Sequence, residues 1–272
     1  MPSEGDVNDP EVIGKEVRSA SPHAVVHLAA ASSVRDSWDA PGEFWRVNAL
    51  GTVNLLEAVR SAAPEARVLF ASTGDVYGRA HSVPTDEEAP VAPVSPYAAS
   101  KAAAEIACAQ ARRTGLDVVV ARAFQHEGPG RDERFAVGSW TRQIADLEHM
   151  GGGVLKVGDL SSRRDISDVR DVCRAYRLLL DPRVPAGTYN VASGRAVSME
   201  EVLDLLLSLA RCPIQVERDP VRQRPVDVPV VSGDASRLRN ATGWTPQIPL
   251  EQTLADALDY ARNAVSERAA QT

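Results

Sequence analysis

The sequence predicts an α/β fold, because short apolar runs alternate with longer helical stretches along its first half. Valine-rich runs occupy residues 24–30, 67–72 and 117–122. Each run is continuously apolar, as expected for parallel strands that are buried on both faces. A helical stretch follows each of the first two runs, which is the pattern of an open parallel sheet with crossover helices.

The first helical stretch lies between residues 30 and 67. Its apolar residues recur at spacings of three and four, the period of one helical face. The spacing therefore predicts a helix that carries the following residues along a single stripe: Phe44, Val47, Leu50, Val53, Leu55, Leu56 and Val59.

The second helical stretch, residues 97–113, is rich in alanine and lacks glycine and proline, which favours a helix. After residue 122 the texture changes, with glycine and proline clustered at residues 127–130 and glycine at 151–153. Further helices are predicted at residues 169–180, 198–210 and 250–261. This change predicts a second, smaller lobe.

The composition excludes several classes of protein. Lys+Arg 30 against Asp+Glu 37 gives a net charge of −7, which argues against nucleic acid or an anionic membrane as the main partner. The 3 cysteines are far apart and form neither a disulfide framework nor a zinc site. No apolar run reaches the ~18 residues that span a bilayer, and the acidic N-terminal stretch is unlike a signal peptide. We therefore expect a cytoplasmic protein without a metal.

Tyr97 and Lys101, in the alanine-rich helix, are the most informative pair for chemistry. A spacing of four puts both side chains on one helical face, one turn apart. An ammonium in that position favours the phenolate and makes the tyrosine a usable general acid or base. The same spacing also occurs in helices without catalytic function, so the interpretation depends on its context.

That context is the end of the second predicted strand. Thr73, Gly74 and Asp75 follow it, at the edge where open α/β sheets bind ligands. With Tyr97 and Lys101 they resemble the extended short-chain dehydrogenase/reductase family, specifically its nucleotide-sugar branch. The supporting motifs are VHLAA (26–30), VNALGTVNLLEA (47–58), RRDISDVRD (163–171), YNVASG (189–194) and RPVDV (224–228).

The resemblance implies a Rossmann-like parallel sheet, truncated at its N-terminus, with a smaller mixed α/β substrate-binding lobe. Residues 1–125 and 166–192 would form the remnant of the dinucleotide-binding domain, and residues 126–165 and 193–272 the sugar-nucleotide lobe. It also implies a homodimer through a four-helix bundle, in which small side chains of the second helix allow close approach. These are Ala102, Ala103, Ala104, Ala107 and Ala109.

The resemblance assigns roles to the residues at the strand end and on the helix. Thr73 would hydrogen-bond the C4 oxygen of a sugar, Tyr97 would exchange a proton with that oxygen, and Lys101 would hold the nicotinamide ribose of NAD or NADP. Asp75 lies where the family's dehydratases keep a glutamate that removes the C5 proton. Its shorter side chain favours a reductase, while a simple turn residue beside Gly74 is an equal alternative.

Further binding residues follow from the same resemblance. Arg164 is either a phosphate contact or the partner of Asp165 or Asp168, and His27 is interpreted as a core residue near the cofactor. Gln125 stands where relatives have a substrate-binding asparagine. The further cofactor-binding residues would be Asp6, Val7, Leu28, Ala29, Ala30 and Asn48, and the further substrate-binding residues Ser32, Gln125, Arg164, Arg224 and Asp227.

One family feature is missing from the sequence. Relatives open with a strand, a glycine-rich turn and a helix whose N-terminus receives the cofactor pyrophosphate. Neither G-x-G-x-x-G nor G-x-x-G-x-x-G occurs among the 18 glycines. We therefore expect weak cofactor binding and an unpaired sheet edge at residues 24–30. Either ~50–60 residues precede this sequence in the protein, or another element pairs with that edge.

The function implied by the resemblance is reduction of a GDP-sugar, GDP-4-keto-6-deoxymannose, at C4 with NAD(P)H. A GDP-mannose 4,6-dehydratase or a nucleotide-sugar epimerase of the same fold is the enzymatic alternative. The alternative from another class is a catalytically silent chain that binds, or assembles with, a complete homologue.

Overall fold

The computed structural model describes residues 5–222 and 228–269. The chain divides into two compact units, residues 1–124, 174–191 and 234–244, and residues 125–173, 192–233 and 245–272. The expected division differs in two stretches: residues 166–173 belong to the second unit and 234–244 to the first. Residues 234–244 belong to the first unit because they contact its strands. For example, the side-chain amide of Asn190, in the first unit, donates a hydrogen bond to the carbonyl of Asp234. No described helix is long and apolar enough to cross a membrane.

The first unit is built on a parallel sheet of four strands, in the order β1-β2-β3-β7. Helices lie between the strands along the chain, so the predicted α/β class is confirmed. The strands are β1 (Ala24–His27), β2 (Arg67–Thr73), β3 (Val118–Ala123) and β7 (Thr188–Val191).

Strand β1 forms an edge of this sheet and pairs with β2 alone among the described strands. Strands β2 and β3 are buried almost throughout, as predicted. The expectation of burial on both faces is wrong for β1, where Val26 is 41% exposed and Leu28, just beyond the strand, is 62% exposed. A further strand or helix beside β1 would cover these residues, and no described strand lies there.

Three helices of the first unit bury apolar faces against β2 and β3. They are α1 (Pro10–Ala20), α4 (Gly51–Ala62) and α5 (Pro96–Arg113), and their side chains form one cluster with Val68, Phe70, Val118 and Val120. The other helical elements are α2 (Asp36–Asp39), α3 (Pro41–Phe44), the π-helical turn Trp45–Leu50, the 3-10 turn Gly74–Tyr77 and α9 (Ser236–Thr242). The boundary between the units falls within α7 (Val169–Leu179).

The π-helical turn overturns the single apolar stripe predicted for the first helical stretch. Phe44, Leu55 and Val59 are buried, whereas Leu50 is 51% and Val53 is 39% exposed. A π-helical turn closes its hydrogen bonds between residues five apart and so changes the angular spacing of the side chains. A constant period of 3.6 residues therefore cannot describe this stretch.

The second unit contains two small sheets around its own core. Strands β10 (Val230–Val231), β6 (Arg163–Asp168) and β4 (Gln125–Glu127) are parallel, and β8 (Ala196–Ser198) is antiparallel to β6. Strands β5 (Gly153–Val157) and β9 (Ile214–Arg218) form a parallel pair. The core includes side chains of α6 (Ala136–Met150), α8 (Met199–Ser208) and α10 (Leu250–Ala269).

Candidate functional site

Helix α5 holds Tyr97 in its first turn. The hydroxyl of Ser95 caps the helix by accepting a hydrogen bond from the Ala98 N–H at 3.2 Å, and Pro96 is compatible with the first helical position. Tyr97 is half-buried, and its ring meets the ring of Phe44 edge to face, with centroids 6.3 Å apart. The cap and this aromatic contact set the position of the phenol.

Lys101 lies one turn further along α5 and is only 3% exposed. Its ammonium lies 4.3 Å from the centroid of the Phe70 ring, a favourable cation-π distance. Burial lowers the pKa of Lys101 to about 8, although Cys108 and Glu105 oppose this effect. No residue in the described ranges accepts a hydrogen bond from the ammonium, so its donors are available to a ligand.

Asn48 joins the loop after β1 to α5 from the π-helical turn. Its Oδ1 accepts from the Ala31 N–H, and its Nδ2 donates to the Ala31 carbonyl and to the Ser100 hydroxyl, all at 2.9 Å. The Ser100 hydroxyl in turn donates to the Tyr97 carbonyl at 2.7 Å. Asn48 therefore fixes the loop and the first turn of α5 together.

The loop after β1 presents three residues expected at the cofactor, Leu28, Ala29 and Ala30, and also Ser32, which is expected at the substrate. Leu28, Ala29 and Ser32 are exposed and Ala30 is half-buried. Asp6 lies before α1, where its carboxylate accepts hydrogen bonds from the backbone and side chain of Asn8. These bonds lower the pKa of Asp6. Val7 packs against Gly51, where a Cβ would approach the Val7 side chain to 2.8 Å.

Thr73 and Asp75 lie together where β2 passes into the 3-10 turn Gly74–Tyr77. Thr73 is 8% exposed, and its hydroxyl oxygen accepts a hydrogen bond from the Asp75 N–H at 3.1 Å. Asp75 is half-buried in the turn. A Cβ at Gly74 would approach the Phe124 ring to 2.9 Å, so the turn requires glycine there.

His27, interpreted from the sequence as a core residue, is buried and hydrogen-bonded. Its Nε2 lies 3.0 Å from the Thr52 hydroxyl, and its ring lies 5.6 Å from that of Phe70. Burial, followed by the positive charge of Lys101, lowers the pKa of His27 to about 4. The imidazole is therefore neutral at neutral pH and stabilises the sheet edge without titrating there.

Sequence reasoning missed a buried polar network beneath these residues. Glu105 accepts from the Ser72 hydroxyl at 2.5 Å and forms a two-point ion pair with Arg122, with Nη2 to Oε2 at 2.6 Å. Arg122 Nη1 also donates to the Tyr77 hydroxyl at 2.8 Å, and that hydroxyl donates to Asn190 Oδ1 at 2.7 Å. Two features of the sequence could have indicated this network: Glu105 follows Lys101 by four residues, and Arg122 interrupts the apolar run of β3.

Of the described residues expected at the substrate, Gln125 and Arg164 lie in the second unit, and Ser32 and Thr73 lie in the first. Gln125, in β4, donates from Nε2 to Glu127 Oε1 at 3.0 Å. Glu127 is 1% exposed, burial raises its pKa, and its Oε2 has no hydrogen-bond donor among the described residues. The carboxylate lies 3.4 Å from Arg131 Nε. The hydrogen bond from Gln125 Nε2 to Glu127 fixes the orientation of the Gln125 amide. Its Oε1 is then the atom that can accept a hydrogen bond from a ligand.

Arg164 is 7% exposed, and its Nη1 donates to the carbonyls of Arg163 and Val228 at 2.9 and 2.8 Å. Asp165 accepts hydrogen bonds from the backbone N–H groups of Ser193, Gly194 and Gly233. The Arg164 bond to Val228 ties β6 to the segment before β10, and the Asp165 bonds tie β6 to the residues before β8 and after β10. Arg224 and Asp227, also expected at the substrate, lie outside the described residues.

The sequence is similar to those of known sugar-nucleotide enzymes. A family model described as GDP-mannose 4,6 dehydratase matches residues 3–257. The GDP-6-deoxy-D-mannose reductase of Pseudomonas aeruginosa is 36% identical over 271 residues, which cover 98% of this chain and 89% of that protein. The GDP-mannose 4,6-dehydratase of Sinorhizobium fredii is 30% identical over 264 residues, covering 88% of this chain and 74% of that protein.

Solved structures give the same result for the fold. RMD from Pseudomonas aeruginosa, solved in complex with NADPH, has a TM-score of 0.89 and 36% sequence identity. The match covers 97% of this chain and 89% of RMD. MoeE5, solved in complex with UDP-glucose and NAD, has a TM-score of 0.86 at 30% identity, with coverages of 97% and 86%. Both relatives were solved with a nicotinamide cofactor bound.

The low pKa of His27 predicts a specific loss of stability in acid. Its folded-state pKa of about 4 lies below its ordinary value of 6.5, so the unfolded state takes up the proton first as the pH falls. The stability contributed by neutral His27 is therefore complete above pH 6.5 and is lost towards pH 4, by up to ~3 kcal/mol. Urea unfolding at several pH values should show a shallower decline in His27→Gln. The exposed His23→Gln should decline like the wild type, and equal declines in all three proteins would contradict the assignment.

Proposed function

The chain belongs to the GDP-mannose 4,6 dehydratase family, and from this we propose that it reduces GDP-4-keto-6-deoxymannose at C4 with NADPH or NADH. The observation that carries the proposal is the buried Lys101 ammonium, one turn from Tyr97. A buried cation without a hydrogen-bond acceptor is costly, and a bound hydroxyl-rich ligand would satisfy it. The 36% identity to a GDP-6-deoxy-D-mannose reductase supports the reductive direction.

The residues around Lys101 fit the nicotinamide-ribose end of the cofactor. The ribose hydroxyls would accept hydrogen bonds from Lys101, and the exposed loop residues Leu28 and Ala29 offer apolar contact. Asn48 holds this loop in place through Ala31. The cofactor, when bound, supplies the hydride that reaches C4.

Tyr97 and Thr73 would act on the C4 oxygen. Tyr97 donates its phenolic proton to the oxygen as negative charge develops there, and the Lys101 ammonium stabilises the phenolate that remains. Solvent then returns a proton to the phenolate. The Thr73 oxygen already accepts from the Asp75 N–H, so its own O–H is the group left to donate to the C4 oxygen.

Asp75 favours the reductase over a dehydratase. Elimination of water needs a base that reaches the C5 proton, and the aspartate side chain is one methylene shorter than the glutamate of the family's dehydratases. Reduction needs no such base. In the second unit, Gln125 Oε1 would accept a hydrogen bond from the GDP-sugar, and Arg164 would contribute positive charge to its phosphates.

We also propose a homodimer in which α5 and the neighbouring helix pack against their copies. Ile106 on α5 is 73% exposed, and Leu50 and Val53 are exposed at the start of the neighbouring helix. Because α5 contacts both the π-helical turn and α4, these exposed apolar side chains support a shared interface on adjacent elements. The sequence-based expectation that Ala102 and Ala104 line this interface is wrong, because they are only 8% and 0% exposed. Ala103 is half-buried, and Ala107 packs against the core of its own chain.

The proposed role of Tyr97 predicts a loss of turnover with little loss of binding. Tyr97→Phe removes the proton donor, an interaction that strengthens in the transition state, so kcat should fall ~10²–10⁴-fold while KM changes little. Turnover of GDP-4-keto-6-deoxymannose at millimolar NADPH measures this, with the exposed Tyr260→Phe as control.

Three results would reject parts of this proposal. Near-full activity of Tyr97→Phe would remove the tyrosine from the mechanism. Elimination of water from GDP-mannose by the wild type would establish the dehydratase instead, and a wild type without turnover would support the catalytically silent alternative.

The missing glycine-rich turn predicts how the cofactor binds. Because the described residues fit the nicotinamide ribose and the sequence has no glycine-rich pyrophosphate turn, NADPH should bind no more than about tenfold more tightly than reduced nicotinamide mononucleotide. Calorimetric titration of the 272-residue chain compares the two ligands. Lys101→Met should weaken both equally, and a much larger preference for NADPH would reveal a pyrophosphate site elsewhere.

The dimer predicts a change in mass on substitution of one surface residue. Ile106→Glu places a charge in the proposed apolar interface and should yield monomers in light scattering. Met150→Glu is the matched control, since Met150 is 69% exposed at the end of α6 in the other unit. A wild type that is already monomeric, or an Ile106→Glu variant that stays dimeric, would disprove this interface.

A further inference from the structure

We propose that Glu105 and Arg122 are positioning residues, which hold the segment carrying Thr73 against the helix carrying Tyr97 and Lys101. This inference rests on the proposed function for the roles of those three residues. Glu105 and Arg122 are buried, at 8% and 7% exposed, and their polar groups bind each other, Ser72 and Tyr77. They act through the residues that they bind.

The first attachment lies directly before Thr73. The Ser72 hydroxyl donates to Glu105 Oε1 at 2.5 Å, and Ser72 is 6% exposed. Since Ser72 is in β2 and Glu105 is in α5, this bond sets the distance between the strand end and the helix. A charged acceptor makes it stronger than a bond between neutral groups.

The second attachment lies two residues after Asp75. The Tyr77 hydroxyl accepts from Arg122 Nη1 at 2.8 Å and donates to Asn190 Oδ1 at 2.7 Å. The Arg122 guanidinium also lies over the Tyr77 ring, with Cζ 4.7 Å from the centroid. The segment from Ser72 to Tyr77 is therefore held at both ends, and both attachments meet at the Glu105–Arg122 ion pair.

Glu105 also affects Lys101 directly. It follows Lys101 by four residues on α5, so the two side chains lie on one helical face. The carboxylate raises the pKa of Lys101 against the larger lowering by burial. Further titratable groups near Lys101 are Cys108, which acts in the same direction, His27, which is neutral at neutral pH, and Tyr97, one turn earlier on α5.

Positioning explains why the fold retains a buried ion pair. Such a pair contributes little net stability compared with well-packed apolar side chains, whereas its geometry is specific. Here the planar guanidinium joins three groups on separate elements: Glu105, Tyr77 and, through the Tyr77 hydroxyl, Asn190. An apolar replacement would fill the space without fixing the strand end.

A pair of tyrosine variants tests the proposal through turnover. Tyr77→Phe removes the hydroxyl that joins Arg122 to Asn190 and keeps the ring. Tyr189→Phe, in β7, removes the hydroxyl of a tyrosine with similar overall exposure, which among the described residues donates to the Pro185 carbonyl at 2.8 Å. We expect kcat to fall about tenfold or more in Tyr77→Phe with unchanged KM values, and to stay at the wild-type level in Tyr189→Phe. Equal kcat values in the two variants would overturn the proposal.

A second measurement does not depend on turnover. The chain has three lysines, Lys15, Lys101 and Lys156, so the ¹³Cε signals of labelled lysine can be followed by NMR against pH. Glu105→Gln should lower the midpoint of Lys101, because it removes the carboxylate that favours the ammonium. Glu57→Gln removes an exposed carboxylate paired with Arg60 and should leave that midpoint unchanged.

The two experiments separate the two proposals. A wild type without turnover rejects the proposed function. The Lys101 titration can still be measured in that case, and it tests whether Glu105 raises the pKa of Lys101. An unchanged Lys101 midpoint in Glu105→Gln overturns that effect even in an active enzyme. Should Glu105→Gln fail to fold, the comparison of Tyr77→Phe with Tyr189→Phe decides alone.

Discussion

Helix α5 buries two charged residues in an apolar core, and much of the first unit accommodates that burial. Lys101 and Glu105 lie among Ala104 and Cys108, which are completely buried. Isolated charges there would be prohibitively costly, so each needs a partner. Glu105 receives Arg122 and Ser72, while Lys101 has the Phe70 ring and donors that remain for a ligand. Helix α5 is thus anchored to the sheet through Glu105, while the donors of Lys101 remain unbonded within the described residues.

The sheet edge shows the opposite situation, in which apolar residues lack cover. Strand β1 pairs with β2 on one side, and Val26 and Leu28 are exposed beside it. Unpaired strand edges promote association with other strands. His27 is nevertheless held through Thr52, and Asn48 holds the following loop. The edge therefore keeps its conformation through side-chain hydrogen bonds to the neighbouring helical segments, and the loop that would contact the cofactor stays ordered.

The central strands and α5 could be predicted because their signals are local. Continuous apolar runs indicated β2 and β3, and alanine content indicated α5 almost to its ends. The predicted stripe failed because a π-helical turn has no simple periodicity in sequence, and Leu50 and Val53 point to the surface as a result. The Glu105–Arg122 pair could not be predicted from either residue, because the register of β2, β3 and α5 brings the two together only in the folded sheet.

The hydrogen-bond state of Thr73 bears on the direction of the proposed reaction. Its oxygen accepts a hydrogen bond from the Asp75 N–H, and its own O–H remains a donor for another group. A ketone oxygen can only accept hydrogen bonds, whereas an alcohol can also donate one. In the proposed reduction, the Thr73 hydroxyl and the Tyr97 phenol would both donate to the C4 oxygen, which matches the ketone of a 4-keto sugar. The Asp75 backbone N–H holds the Thr73 oxygen, and the Asp75 side chain, one methylene shorter than glutamate, agrees with a reaction that needs no base at C5.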